Sequence, residues 1–164
     1  MTTFYAVCAG ASATLVGLLF VAIQIGPSLL ATGGVTRRHA MARSTFTIFV
    51  VIFALSLFFL VPVPVRARAT TAIFASIAGA ARAARTWLPV WRETLRQRTV
   101  ARVWQAVWLL LGPIAAYAYV ALGGLIQLST GRSVLDAFAS GAFIVLFVIA
   151  LRNSWDLLVE ATAR

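Results

Sequence analysis

The sequence predicts an all-α membrane protein, a polytopic transmembrane helical bundle that forms one domain over residues 1–164. Hydrophobic residues make up 62% of the chain, whereas soluble domains contain roughly 45 to 50%. Charged residues make up 11%, against roughly 25% in soluble domains. The apolar residues fall in long uncharged runs, which favour helices over the alternating pattern of a membrane barrel. We expect five membrane spans.

The first two predicted spans cover residues 4–30 and 44–61. The first carries no charge, and it is long enough to cross a hydrocarbon core of about 30 Å. The second is rich in Phe, Ile, Val and Leu. Pro62 and Pro64 end it, because proline lacks the backbone donor that a helix needs.

The third predicted span, residues 69–88, is dominated by alanine and interrupted by Arg82 and Arg85. It crosses a membrane only if both arginines extend to one interface. Small residues recur every four positions, as at Ala72, Ser76 and Ala80, and this spacing predicts a central helix that its neighbours approach closely. If the segment does not cross, the bundle has four spans.

Residues 87–102 form the most polar stretch and predict an amphipathic link in the headgroup plane. We expect Arg92, Arg96 and Arg98 in this link to bind anionic lipid headgroups. A plain connecting loop is the alternative. The fourth and fifth spans are predicted over residues 103–128 and 135–155, and Ser133 with Asp136 matches a capping box at the start of the fifth.

The distribution of arginine predicts the orientation. All 14 basic residues are Arg, and the net charge is +10. With five spans, 11 arginines share a side with the C-terminus and three lie on the other side, so the C-terminus is predicted to be cytoplasmic. The four-span alternative keeps the C-terminus there and moves the N-terminus inside. Because the arginines lie at span ends, we expect membrane lipids as partners and no nucleic acid.

Few side chains are available for catalysis. The chain has one His, one Cys and four acids, and it contains no phosphate loop, zinc motif or nucleophile elbow. His39 is a lone histidine in an arginine-rich link, which does not favour a metal site. The sequence therefore predicts a protein that is not an enzyme and needs no cofactor.

Four polar residues are candidates for a pore lining or for contacts between helices. Gln24 and Gln127 lie within predicted spans, where an amide seeks a partner across helices or a wet cavity. Arg152 and Asp156 are four residues apart, so they can pair on one helical face. Such a pair predicts an anchor that fixes the depth of the last span, and an ion pathway is the sharper alternative.

A stripe of small residues on the first span consists of Ala9, Ala13 and Gly17. Small residues at this spacing let two helices approach closely. The stripe predicts packing within the monomer, and a subunit interface is the alternative.

Three segments resemble a group of small, poorly characterised multi-pass bacterial membrane proteins. They are AGASATLVGLLFVAIQI near the start, RRHAMARSTFTIFVVIF in the middle and LRNSWDLLVE near the end. The resemblance implies a bacterial inner-membrane location, and it implies no activity and no functional residues. Because the spans carry stripes of small residues without buried charges, we expect an accessory or scaffold subunit that acts by helix packing, as a homo-oligomer or in a membrane protein complex. A homo-oligomeric ion channel or small transporter is the alternative.

Overall fold

A computed structural model describes residues 1–25, 35–97 and 100–162, with side chains for residues 1–21, 40–92, 108 and 110–157. These residues form five α-helices and no strand, which confirms the all-α prediction. The helices are α1 (Thr2–Ile25), α2 (Val35–Leu60), α3 (Val65–Gln97), α4 (Val100–Thr130) and α5 (Leu135–Thr162).

Helices α2 and α4 end where the local sequence requires it. Pro62 and Pro64 follow α2 directly, as predicted, and the chain turns there before α3 begins. Gly131 follows α4 with a φ of 69°, a backbone conformation that glycine adopts without steric cost. Its N–H donates to the carbonyl oxygen of Gln127 at 3.0 Å, which closes the last turn of α4.

The third helix differs from its prediction. We expected a helix over residues 69–88 followed by a separate amphipathic link, but α3 continues through Pro89 to Gln97. Its 33 residues correspond to about 50 Å at 1.5 Å per residue. The polar segment that begins at Trp87 is therefore part of the same helix up to Gln97, and a connecting loop over that part is wrong.

Helices α3 and α4 run antiparallel and in close contact. The start of α3 lies beside the end of α4, where Gly124 faces Ala69 and Ile73. Two turns further along α3, Gly79 lies against the ring of Tyr117. A Cβ atom added at Gly124 would come within 2.8 Å of Ile73 Cγ1 and 3.1 Å of the Ala69 carbonyl oxygen, so only glycine allows this approach.

The buried residues form two hydrophobic clusters. The larger one contains Tyr5, Phe59 and Phe143, together with aliphatic residues of α2, α4 and α5. The smaller one lies at the other end of α3, where Met41 and Trp87 pack together. Trp87 is 1% exposed, so its side chain belongs to the core.

Four segments of the described chain are long and apolar enough to cross a membrane, and α3 is not among them. The segments are Thr2–Val21, Ala40–Leu60, Leu110–Thr130 and Leu135–Leu157. Large hydrophobic side chains also cover the outside of the bundle, among them Phe20, Phe74 and Ile144. An apolar exterior of this kind suits a lipid environment and not water.

Candidate functional site

A polar cluster lies where the start of α1, the end of α2 and the start of α5 meet. The hydroxyl of Tyr5 donates a hydrogen bond to Oδ1 of Asp136 at 2.8 Å. Nη1 of Arg68 lies 3.9 Å from the same oxygen, and this is the one ion pair within the described residues. The Arg68 and Asp136 side chains are only 26% and 21% exposed, so water screens the pair incompletely.

Aromatic rings hold this cluster in place. The Tyr5 ring meets the Phe59 ring edge to face at 4.9 Å and the Phe143 ring at 6.1 Å. The guanidinium of Arg68 lies 5.9 Å from the centre of the Phe59 ring, within the range of a cation–π contact. One phenylalanine of α2 thus contacts both the tyrosine of α1 and the arginine of α3.

Gln127 connects α4 to two other helices next to this cluster. Its Oε1 accepts a hydrogen bond from the N–H of Leu135 at 3.1 Å, and Leu135 is the first residue of α5. Its Nε2 donates to the carbonyl oxygen of Val65 at 3.4 Å, and Val65 is the first residue of α3. Only 4% of Gln127 is exposed, so both bonds replace water for a buried amide.

These contacts replace the predicted capping box. Because α5 begins at Leu135, Val134 occupies the cap position and Ser133 lies one residue outside it. The first N–H of α5 donates to Oε1 of Gln127. Asp136 accepts a hydrogen bond from Tyr5 and forms an ion pair with Arg68. The box pattern identified the start of the helix, but the partners of its acidic residue lie on other helices.

The chemistry of the cluster suits the fixing of helix ends. It holds one carboxylate, one guanidinium, one phenol and one amide, contributed by four helices, while α2 contributes the Phe59 ring. Within the described residues, no three His, Cys, Asp or Glu side chains lie close enough to hold a metal ion.

The other polar candidates lie apart from this cluster. Arg152 is exposed and Asp156 is half-buried, and in the described part of the chain neither a hydrogen bond nor an ion pair joins them. The expected pair on α5 is therefore not formed there. The side chains of Gln24 and Arg96, and the whole of Arg98, lie outside the described residues; Arg92 is exposed on α3.

The small-residue stripe of α1 divides between two faces. Ala9 is buried against the bundle, whereas Ala13 and Gly17 are exposed. No atom of the described residues lies within 4 Å of where a Cβ would stand at Gly17, and the same holds for Gly10, about two helical turns earlier. Both glycines thus lie on the outward face of α1 with open space in front of them.

Sequence reasoning missed Tyr5, Arg68 and Arg82 as functional candidates. Tyr5 and Asp136 are 131 residues apart, and no local pattern connects them. A usable signal was present for Asp136 alone, since an acidic residue at the edge of a span calls for a partner. No family model, no curated protein and no solved structure matches the chain.

Proposed function

We propose that this chain is a multi-pass membrane protein that acts by contact, as a non-enzymatic accessory or scaffold subunit. The observation that carries the proposal is the outward face of α1, where Gly10, Ala13 and Gly17 leave room for another helix. Flexible lipid tails can pack against a surface of any shape. A row of small residues, in contrast, specifically lets the backbone of a second helix approach. The occupant of this face is a second copy of the chain or a helix of a membrane protein complex.

Two observations support α1 as the contact element. Only 22% of its apolar window is buried inside the bundle, compared with 39% to 44% for the other three candidate spans. Its inward face packs against the rest of the bundle, because Tyr5, Cys8 and Ser12 are buried. Among the four candidate spans, the opposite face of α1 is therefore the part that the described residues cover least.

The contact role is favoured over a channel because Gln127 and Asp136, two polar groups near the ends of spans, are used within the fold. The amide of Gln127, a candidate for a pore lining, bonds the backbone of α3 and α5. Asp136 bonds Tyr5 and faces Arg68. The small number of acids, with one His and one Cys, supports the view that the protein is not an enzyme.

We also propose that α3 crosses the membrane, which gives five spans. Phe59 near the end of α2 and Gln127 near the end of α4 both lie at the polar cluster. Helices α2 and α4 therefore point the same way, and the connection between them must return along the full length of the bundle. Helix α3 makes this return beside α4, with Arg82 and Arg85 just past its midpoint.

The five-span arrangement predicts the orientation in a bacterial inner membrane. The polar cluster, with Arg66, Arg68 and Arg132, lies on the outer side, and the remaining 11 arginines and the C-terminus lie on the cytoplasmic side. Anionic headgroups on that side are the expected partners of Arg92 and of Arg96 and Arg98.

Labelling with a membrane-impermeant maleimide tests the arrangement. In a Cys8→Ala background, Thr2→Cys and Arg66→Cys should both react from outside in intact cells. A four-span chain would place both cysteines inside and protect them. Arg132→Cys is outside in either arrangement and serves as the reactive control, whereas Arg152→Cys should stay protected in both.

Crosslinking in native membranes tests the contact role. We expect the chain to be captured with a copy of itself or with another membrane protein, and Gly10→Leu and Gly17→Leu to reduce that capture. Ala118→Leu, a small-to-large change at an exposed position of α4, should leave it unchanged. Absence of any stable protein partner, or an equal loss in all three variants, would contradict the proposal. Ion flux through purified protein in liposomes would favour the channel instead.

A further inference from the structure

A groove of about 410 Å³ runs along the outside of the bundle between α2 and α3. Its walls are apolar over most of their length, with Val51, Leu55 and Phe58 on α2 and Ala75 and Ala78 on α3. Arg82 closes one end and is the single charged side chain that lines it. The groove therefore combines an apolar channel with a cationic end.

The guanidinium of Arg82 has no acidic partner among the described residues. Its Nε donates to Oγ1 of Thr47 at 3.4 Å, a long hydrogen bond to a neutral group. Thr47 lies seven residues inside the candidate span that begins at Ala40, which corresponds to about 10 Å along the helix axis. A cation at that depth is costly unless an anion or the interface is within its reach.

An unpartnered hydroxyl lies beside Arg82. Gly79 and Arg82 line the groove and also a small crevice of about 10 Å³, whose other walls include Ser44, Thr86 and Tyr117. Tyr117 is 2% exposed, and its hydroxyl has no hydrogen-bond partner among the described residues. The crevice has room for about one water molecule between this hydroxyl and the groove.

The dimensions of the groove decide between a helix and an acyl chain. From Thr71 to Arg82 the α3 wall is roughly 16 Å long, and a helix of that length and about 10 Å width would occupy about 1,200 Å³, more than the groove provides. A helix with its side chains is about 10 Å wide or more. A single extended hydrocarbon chain fits the channel, and the position of Arg82 requires that its polar end carry a negative charge.

We propose that this groove binds one acyl chain of an anionic phospholipid and that Arg82 holds its phosphate. The Thr47 hydroxyl accepts the Nε donor, which leaves the terminal guanidinium nitrogens for two phosphate oxygens. The inference rests on the membrane placement proposed above, but not on the contact role of α1. It assigns a lipid site to α3 that is separate from Arg92, Arg96 and Arg98.

Native mass spectrometry of the detergent-purified chain tests the site. Equal amounts of phosphatidylglycerol and phosphatidylcholine are added, and we expect the anionic lipid to be retained preferentially. Arg82→Gln should lower that preference about fivefold, the effect of one arginine near anionic lipid. Arg85→Gln, one turn away on an exposed arginine that does not line the groove, should leave the preference unchanged.

A second variant keeps the charge and removes the space. Ala78→Leu should reduce the retention of both lipids, and inorganic phosphate alone should not compete if the acyl chain contributes. Competition by phosphate would identify an anion site without a lipid groove and would overturn the proposal. Equal behaviour of Arg82→Gln and Arg85→Gln would overturn it too, once circular dichroism shows that both variants fold. A chain that stays monodisperse without detergent would instead contradict the membrane placement.

Discussion

Arg68 and Arg82 lie 14 residues apart on the same helix, and the chain surrounds them differently. Arg68 faces the carboxylate of Asp136 and the ring of Phe59, so its charge is met from within the protein. Arg82 meets one hydroxyl and an open apolar groove. In a medium where water is scarce, a charge that the fold satisfies stabilises the fold, and a charge that it leaves open attracts a ligand.

The two regions also differ in what surrounds their hydroxyl groups. The Tyr5 hydroxyl is bonded to Asp136, whereas the Tyr117 hydroxyl near Arg82 has no partner among the residues that the structure describes. Both tyrosines are almost fully buried. Substitutions at the paired end of α3 should therefore lower stability, while substitutions at the open end should mainly change lipid binding.

Asp136→Ala should cause the largest loss of stability. It removes the acceptor of Tyr5 and leaves Arg68 without its counter-ion, which should lower the free energy of unfolding by about 1–3 kcal/mol. The cost stays below that of breaking a fully buried pair, because the two side chains are partly exposed and 3.9 Å apart. Thermal unfolding in detergent micelles measures it.

Asp156→Ala is the matched control for this change. Asp156 has no ion pair or hydrogen bond in the described part of the chain, so its removal should alter the unfolding temperature little. If both variants were destabilised equally, the polar cluster would have no special role, and the difference between the two ends of α3 would disappear.

Gln127→Met should have the next largest effect. Methionine keeps the length of the side chain but leaves the Leu135 N–H and the Val65 carbonyl without their partner, at a cost of about 1–2 kcal/mol. Ser129→Ala, which removes a hydroxyl bonded only within its own helix, should cost much less. A change below that of Ser129→Ala would show that water replaces both bonds and that the cluster is wetter than its burial indicates.

Much of the fold follows from the sequence because its signals are local. Uncharged runs predict the four apolar helices, and Pro62 with Pro64 predicts the end of α2. The length of α3 was not predicted, because Pro89 and the arginines around it are typical of a break. Trp87 and Val90, on either side of Pro89, pack against Met41 in the smaller hydrophobic cluster, and such tertiary contact outweighs helix propensity.

The polar cluster could not be predicted, because it depends on which helices become neighbours. The pattern around Asp136 is satisfied equally well by a local cap, and the three-dimensional arrangement selects Tyr5 and Arg68 instead. Gln127 could be recognised as an amide in need of partners, but the sequence did not identify them. Sequence therefore indicates which groups need a partner, and the fold determines which partner they find.

Tyr5→Phe tests the hydrogen bond between Tyr5 and Asp136 alone. It keeps the ring between Phe59 and Phe143 and removes only the hydroxyl, so we expect a loss of about 0.5–1.5 kcal/mol. Tyr119→Phe, on an exposed ring, should be close to neutral. In a double-mutant cycle with Asp136→Asn, additive losses would mean that the two residues do not interact.

Thr47→Val should have the smallest effect on stability. A small effect is expected because the fold does not hold Arg82 firmly. The substitution removes the acceptor of Arg82, but the bond is 3.4 Å long and exposed, so the free energy of unfolding should change by less than about 0.5 kcal/mol. Thr70→Val, which removes an exposed hydroxyl that bonds its own helix, should change it by a similar amount. If Thr47→Val instead matched Asp136→Ala, Arg82 would be held by the fold as firmly as Arg68, and the difference between the two arginines would disappear.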